Sequence, residues 1–277
     1  MSRDAEPPAY ALGHSDRELA RLAVQAELVD PITRRFLVEA GIASGMRVLD
    51  VGSGVGDVAF LAAELVGETG EVVGTDRSAA ALAVARRRAD ERSLRQVTFV
   101  EGDPAALAFE QAFDAAVGRY VLAFQPDPAA MLRRVAGHVR AGGVVVFHES
   151  HLEAVLSYPA VPTYDRACAL VEETFRTLGT DPLMGLKLHA TFVAAGLAPP
   201  AMRLESVLAG GSTSGAQVHL VTDLLGTLVA DMERLGVASA EGLDPETLAD
   251  RAIAEAAATE SVVVGRAEIG AWSRTAR

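Results

Sequence analysis

Cysteine is nearly absent. The 277-residue chain has one, Cys168, so no disulfide can form within it. The same count excludes a structural zinc site built on several cysteines. No stretch approaches the roughly 18 consecutive apolar residues of a membrane span. The opening MSRDAEPPAY lacks the apolar core of a signal peptide. Basic residues never form a long run; the densest is Arg86-Arg87-Arg88, on a predicted helix. Net charge is -12 and the pI is about 5.0. Such a surface repels phosphate backbones, so nucleic acid is not an expected partner. There is no repeat period and no low-complexity tract. These absences leave a soluble, cytoplasmic protein as the expectation.

What is present is a full-sized core. Half of the chain is hydrophobic. That suits one large domain, or a domain with a substantial cap. Ser15 with Glu18 fits a capping box opening a helix, with Leu19, Leu22, Ala23 and Ala26 on one face. Asp30 as N-cap, Pro31 at the first position and Gly41 past the end predict a second helix. Strands then alternate with helices. RVLDV (47–51), EVVGTD (71–76), VTFVEGD (97–103), FDAAVG (113–118) and VVVFHE (144–149) read as strands. Helices follow the glycines after residue 51, run from Ser78 to about Glu91, and start at Asp127-Pro128 with Leu132, Val135 and Val139. The strands are continuous apolar runs, as in a parallel sheet covered on both faces.

After residue 150 this rhythm breaks. Helices are expected around Ala167–Leu178, Leu183–Gly196 and 214–236, and after Asp244-Pro245. AMRLESV (201–207) and AEIGAW (267–272) read as two further strands. The fold class is therefore α/β, a doubly wound, Rossmann-like, mostly parallel sheet of seven strands with helical cap insertions. Residues 1–35 would form a helical lid and 36–150 the ligand-binding core. Residues 151–277 would complete the sheet and supply the cap of a single domain. The long helix 214–236 could also make a homodimer contact.

VLDVGSGVGD (48–57) joins the first strand to its helix. Glycines in such a turn let a ligand approach the backbone, and the helix behind offers free N–H groups. The spacing is G-x-G-x-G, and Asp57 stands where the dinucleotide fingerprint needs its third glycine. Asp50 lies two residues before Gly52. A carboxylate there disfavours pyrophosphate and suits an ammonium group. Asp76 ends the second strand, 20 residues beyond Gly56, where it can accept from both ribose hydroxyls. The ligand should carry a ribose and a cation.

In these segments the chain resembles the class I S-adenosylmethionine-dependent methyltransferases, in their small-molecule, natural-product branch. RVLDVGSGVGD, VVGTD, FVEGD, FDAAVGRYVL and AGGVVVF match the family's successive motifs over residues 36–150. LGHSDRELARLAVQ is similar to its N-terminal helix. The resemblance implies S-adenosylmethionine as cofactor. It puts Gly52, Ser53 and Gly54 against the methionine and ribose, Asp50 at the ammonium, and Asp76 at the ribose hydroxyls. Asp103 would accept from the adenine amino group, and Gly118 and Arg119 would line the space beside the methyl. Arg77 and Gly102, flanking the two acidic residues, join this site, as does Gln25 on the N-terminal helix. Pro104 departs from the pattern: it has no N–H to give to adenine, a role that falls to Ala105.

The implied activity is transfer of a methyl group to a small, partly apolar organic acceptor, as in secondary metabolism. The alternative is a protein that keeps this ligand but catalyses another step, such as a cyclisation, or only binds. A base is needed if the acceptor is a hydroxyl. In FHESH (147–151), His148 and Glu149 stand at the ligand edge on opposite faces, so at most one enters the cavity. His148 is the candidate base; Tyr10, His14 and Tyr120 are others. FHESH is not H-E-x-x-H, and no metal is expected. Phe175, Met184 and Phe192 are candidates for an apolar acceptor pocket.

Overall fold

The computed structural model describes residues 16–104, 106–154 and 156–276, with side chains from residue 25 onward except at 154. The capping box at Ser15, the apolar face through Leu19, Leu22 and Ala23, the candidates Tyr10 and His14, and Ala105 lie outside the described backbone or side chains.

The elements are α1 (Asp16–Ala40), β1 (Arg47–Val51), α2 (Asp57–Val66), β2 (Glu71–Asp76), α3 (Ala79–Glu91), β3 (Val97–Glu101), β4 (Phe113–Arg119), α4 (Pro128–Ala136) and β5 (Val139–His151). Then come β6 (Leu156–Tyr158), α5 (Pro162–Leu178), α6 (Met184–Ala194), β7 (Ala201–Glu205), β8 (Leu208–Gly210), α7 (Gly215–Leu235), α8 (Pro245–Ala258), β9 (Val262–Val264) and β10 (Ala267–Arg274). The main sheet has seven strands in the order β3-β2-β1-β4-β5-β10-β7. β1 to β5 pair in parallel. The order reverses between β1 and β4, a switch point where ligands bind in open α/β sheets. The expected fold class is observed.

Local signals explain most boundaries. Ser78 caps α3 by accepting from the Ala81 N–H, and Asp127 does the same for α4 through Ala130. Asp244 caps α8 through Thr247. Each cap satisfies a donor that the first helical turn leaves orphaned.

Three expectations are corrected. α1 is one helix running through Pro31, not two. The missing bond at Pro31 is outweighed because Val29, Ile32, Phe36 and Leu37 are all buried on its inner face. Val139 opens β5 opposite Phe113 rather than closing α4. Finally, the insertions are not purely helical: β6, β9 and β8 form a second, antiparallel sheet in that order. Its strands have three residues each, too few to carry a period-2 pattern.

The chain divides into two compact units that interleave in sequence. The sheet unit is Val29–Glu149, Met184–Leu204 and Ile269–Arg277; the helical unit is Met1–Leu28, Ser150–Leu183 and Glu205–Glu268. In the sheet unit, apolar layers cover both faces of the strands. Phe60, Leu61, Leu82 and Val66 lie on one side, and Leu122, Leu132, Leu188 and Phe192 on the other. In the helical unit, Leu170, Val171 and Phe175 of α5 meet Leu224, Leu225, Leu228 and Met232 of α7. Phe175, Met184 and Phe192, expected near an acceptor, are thus buried core residues. Among the described residues, no helix is long and apolar enough to cross a membrane.

Candidate functional site

The glycine loop leaves β1 at the switch point. Gly52 has φ +67° and Gly56 has φ +96°. A Cβ on Gly52 would lie 2.7 Å from Val121 Cγ2, so a side chain fits neither the conformation nor the space. Gly54 differs. A Cβ there would meet nothing within 4 Å, so the loop is open at this point.

Asp50 stands behind the loop and is 1% exposed. Neither carboxylate oxygen has a hydrogen-bond partner. The Ala59 amide approaches without the geometry of a regular bond. Burial pushes the Asp50 carboxyl well above the ordinary range; Arg119 opposes this, and Asp76 and Asp57 add to it. A buried carboxylate with two unused acceptors is costly unless a cation or donors complete it. Ser53 Oγ, also buried, is likewise unpartnered.

Asp76 organises the loop through its backbone. Its Oδ2 accepts from Gly54 N at 2.9 Å and its Oδ1 from Ser78 N at 2.8 Å. Each carboxylate oxygen can accept more than one bond, so these contacts leave room for hydroxyl donors. Arg77 and Asp103 form an ion pair on the rim. Gly102 N donates to the Asp76 carbonyl, joining the ends of β2 and β3. Gly118 answers to packing: a Cβ there would lie 2.7 Å from Phe147 Cε1.

Arg119 is buried at the end of β4. Its Nη1 donates to Asp30 Oδ1 at 2.7 Å and to Thr33 Oγ1 at 2.9 Å, and its Nη2 lies 3.8 Å from Asp57. Asp57 pairs with Arg88 at 2.7 Å, and Arg88 also donates to the Val55 carbonyl. His148 pairs in register with Arg119, and its Nδ1 lies 3.1 Å from Thr33 Oγ1. Glu149 Oε1 accepts from the N–H groups of Val121 and Leu122, at 2.8 and 2.7 Å. Both His148 and Glu149 are buried. Glu149 anchors the turn after β4, which supports Gly52 through Val121.

Comparison with known proteins decides the lineage. Residues 42–191 match a family model described as a methyltransferase domain. The chain belongs to this methyltransferase family. It is 36% identical over 138 residues to an aklanonic acid methyltransferase, DauC, from Streptomyces sp. strain C5, covering 50% of this chain and 62% of that protein. It is 33% identical over 131 residues to a demethylmenaquinone methyltransferase of Lactococcus lactis, covering 47% of this chain and 50% of that one. The matched region thus spans about half, or a little more, of these curated relatives. The YcgJ protein of Bacillus subtilis shares the fold, with a TM-score of 0.55 at 17% identity over 89% of this chain and 99% of that one.

The methyltransferase family uses S-adenosylmethionine, and the cradle has the chemistry to hold it. The orphan carboxylate of Asp50 matches an ammonium, and the open face at Gly54 admits a ligand against the backbone. Gln25 lies in the helical unit, where its Oε1 accepts from Arg266, which pairs with Glu268. Three participants were missed in the sequence: Asp30, Thr33 and Arg88. Asp30 read as a cap and Arg88 as part of a helical basic run. Thr33 carried no signal, because its partner His148 is 115 residues away.

Proposed function

We propose that the protein is an S-adenosylmethionine-dependent methyltransferase acting on a small, partly apolar organic acceptor by in-line displacement. The observation that carries this is Asp50: a buried carboxylate with no partner, directly behind an open glycine loop. The cofactor supplies a methyl group on a sulfonium, already bonded to a good leaving group. The chain's task is to align and to exclude water. In this reading Asp50 holds the ammonium, and Gly52, Ser53 and Gly54 bear on the methionine and ribose. Asp76 takes the ribose hydroxyls with the lone pairs its backbone donors leave free. Asp103, steadied by Arg77, accepts from the adenine amino group, beside Gly102. Gly118 and Arg119 flank the methyl side.

The names of the curated relatives, an aklanonic acid and a demethylmenaquinone methyltransferase, point to ring-bearing acceptors. We assign the same broad class here. We also assign the enzyme to the cytoplasm, and the net charge of -12 argues against nucleic acid as a partner. Titration calorimetry with S-adenosylmethionine tests the site, and no heat of binding would refute it. Incubation with methyl-labelled cofactor and a panel of quinols and aromatic polyketides tests the reaction. Labelled product supports transfer; a rearranged, unlabelled product would favour cyclisation instead.

A further inference from the structure

Val55, Gly56 and Asp57 end the glycine loop and lead into α2. One side chain from another helix holds both sides of this turn. Arg88 lies on α3, 31 residues beyond Asp57. Its Nη1 donates to the Val55 carbonyl oxygen at 2.6 Å, and its Nη2 to Asp57 Oδ1 at 2.7 Å. A guanidinium is planar and presents its donors in a fixed fork, so these two bonds set the spacing of residues 55 and 57. Gly56 lies between them with φ +96°. A Cβ there would stand 2.7 Å from Cζ of Phe60, a ring that is 2% exposed. The Arg88 guanidinium lies over the same ring, 5.2 Å from its centroid, and Arg92 lies over it at 4.6 Å.

The loop has a second anchor from the same stretch of chain. Asp76 ends β2, just before α3, and accepts from Gly54 N at 2.9 Å. The β2–α3 segment thus grips the loop at Gly54 and again at Val55 and Asp57. The other oxygen of Asp57 lies 3.8 Å from Arg119 Nη2, so both oxygens face guanidinium groups. Arg88 departs from its neighbours in the Arg86-Arg87-Arg88 run. Arg87 is a solvated side chain, 64% exposed, and reaches only Glu91 at 3.9 Å. Arg86 donates to the Phe99 carbonyl oxygen at 2.9 Å, off the loop. Arg88 places both of its hydrogen bonds on the loop.

We propose that Arg88 is a positioning residue for the cofactor: by fixing Val55 and Asp57 it holds the glycine loop in the shape that receives the methionine and ribose. The proposal rests on the methyltransferase reading above. Arg88 acts through the loop and touches neither cofactor nor reacting atoms. Its effect therefore falls on cofactor binding and not on the chemical step.

Titration calorimetry with S-adenosylmethionine on the full chain tests this. Arg88→Gln should raise the cofactor Kd about 10-fold, on the scale of lost charge-assisted hydrogen bonds. Arg88→Lys should recover only part of the loss, because an ammonium lacks the planar fork. Arg86→Gln, which loses a backbone contact from the same helix, should leave Kd unchanged. With methyl-labelled cofactor and the acceptor panel, Arg88→Gln should raise the cofactor KM and leave kcat at saturation within about twofold. In a double-mutant cycle on Kd, Arg88→Gln and Asp57→Asn should cost less together than the product of their separate effects, because each breaks the same contact. An Arg88→Gln protein that melts earlier but binds with the wild-type Kd overturns the proposal and leaves Arg88 a purely structural role. Equal weakening by Arg86→Gln overturns it too, and so does full additivity with Asp57→Asn. A wild-type chain that binds no S-adenosylmethionine refutes the methyltransferase reading itself; a wild type that binds beside an unaffected Arg88→Gln refutes this proposal alone.

Discussion

Two carboxylates, one in each unit, are treated in opposite ways. Asp50 in the sheet unit is buried without a hydrogen-bond partner, and burial pushes its carboxyl well above the ordinary range. Glu255 on α8 in the helical unit is satisfied. Its Oε1 accepts from the Thr163 hydroxyl at 2.6 Å and its Oε2 from the Thr163 N–H at 2.9 Å. Burial would raise the Glu255 carboxyl, but these bonds and Arg251 outweigh it and hold it low. Glu255 closes the first turn of α5, a structural task that is complete within the unit. Asp50 is left incomplete, as a group reserved for a ligand would be. The sheet unit places two unpartnered groups, Asp50 and Ser53, at the glycine loop, whereas α5, α7 and α8 pack on one another and leave Gln217 Oε1 of α7 without a hydrogen bond. Asp57, Arg119, Asp30 and Arg88 form a connected ion cluster beside the loop.

The contrast can be broken by substitution. The largest effect should come from Leu228→Ala in the helical core, which removes a fully buried side chain. It should cost about 2–5 kcal/mol in denaturant unfolding and leave the cofactor Kd of the folded protein unchanged. A matching loss of affinity would mean that the units do not divide their tasks this way. Asp76→Ala should act in reverse, weakening S-adenosylmethionine binding by about 1–3 kcal/mol in calorimetry, the scale of lost charged hydrogen bonds. An unchanged Kd would remove Asp76 from the site.

Asp50→Asn should stabilise the ligand-free protein at neutral pH by about 1–2 kcal/mol while weakening cofactor binding. The sign follows from linkage. A carboxyl raised on folding binds its proton more tightly in the native state, so stability falls as pH rises through and above the ordinary carboxylate range. The variant should lack that fall in a pH series of thermal melts. Glu255→Ala should have the smallest effect, about 0.5–1 kcal/mol, as for a partly exposed cap. Here the carboxyl is lowered on folding. The stabilisation is present above the unfolded value of 4.5 and lost as pH falls through the lower folded one. A flat difference between Glu255→Ala and wild type across that range would show that the contact with Thr163 does not depend on charge.

The sheet unit was far more legible in the sequence than the helical one. Its strands are apolar runs bounded by glycines and caps, so β1, β2, β4 and β10 fall within two residues of their expected limits. The loop residues Asp50, Gly52 and Asp76 sit in sequence next to the elements that orient them, which is why spacing revealed them. The antiparallel sheet β6-β9-β8 was invisible, because strands of three residues gain their identity only from partners about 50 to 100 residues away. Thr33 was invisible for the same reason.

The sequence by itself determined that a glycine loop flanked by Asp50 and Asp76 closes the first βα turn, because glycine conformation and carboxylate placement are local properties. It also determined the alternation of strand and helix that makes the sheet parallel. Only the tertiary structure decided which charges stay paired and which stay open. Burial and hydrogen-bond supply depend on neighbours brought together from distant segments. The same holds for His148: its position at the sheet edge was readable, but its contact with Thr33 joins β5 to a helix 115 residues away.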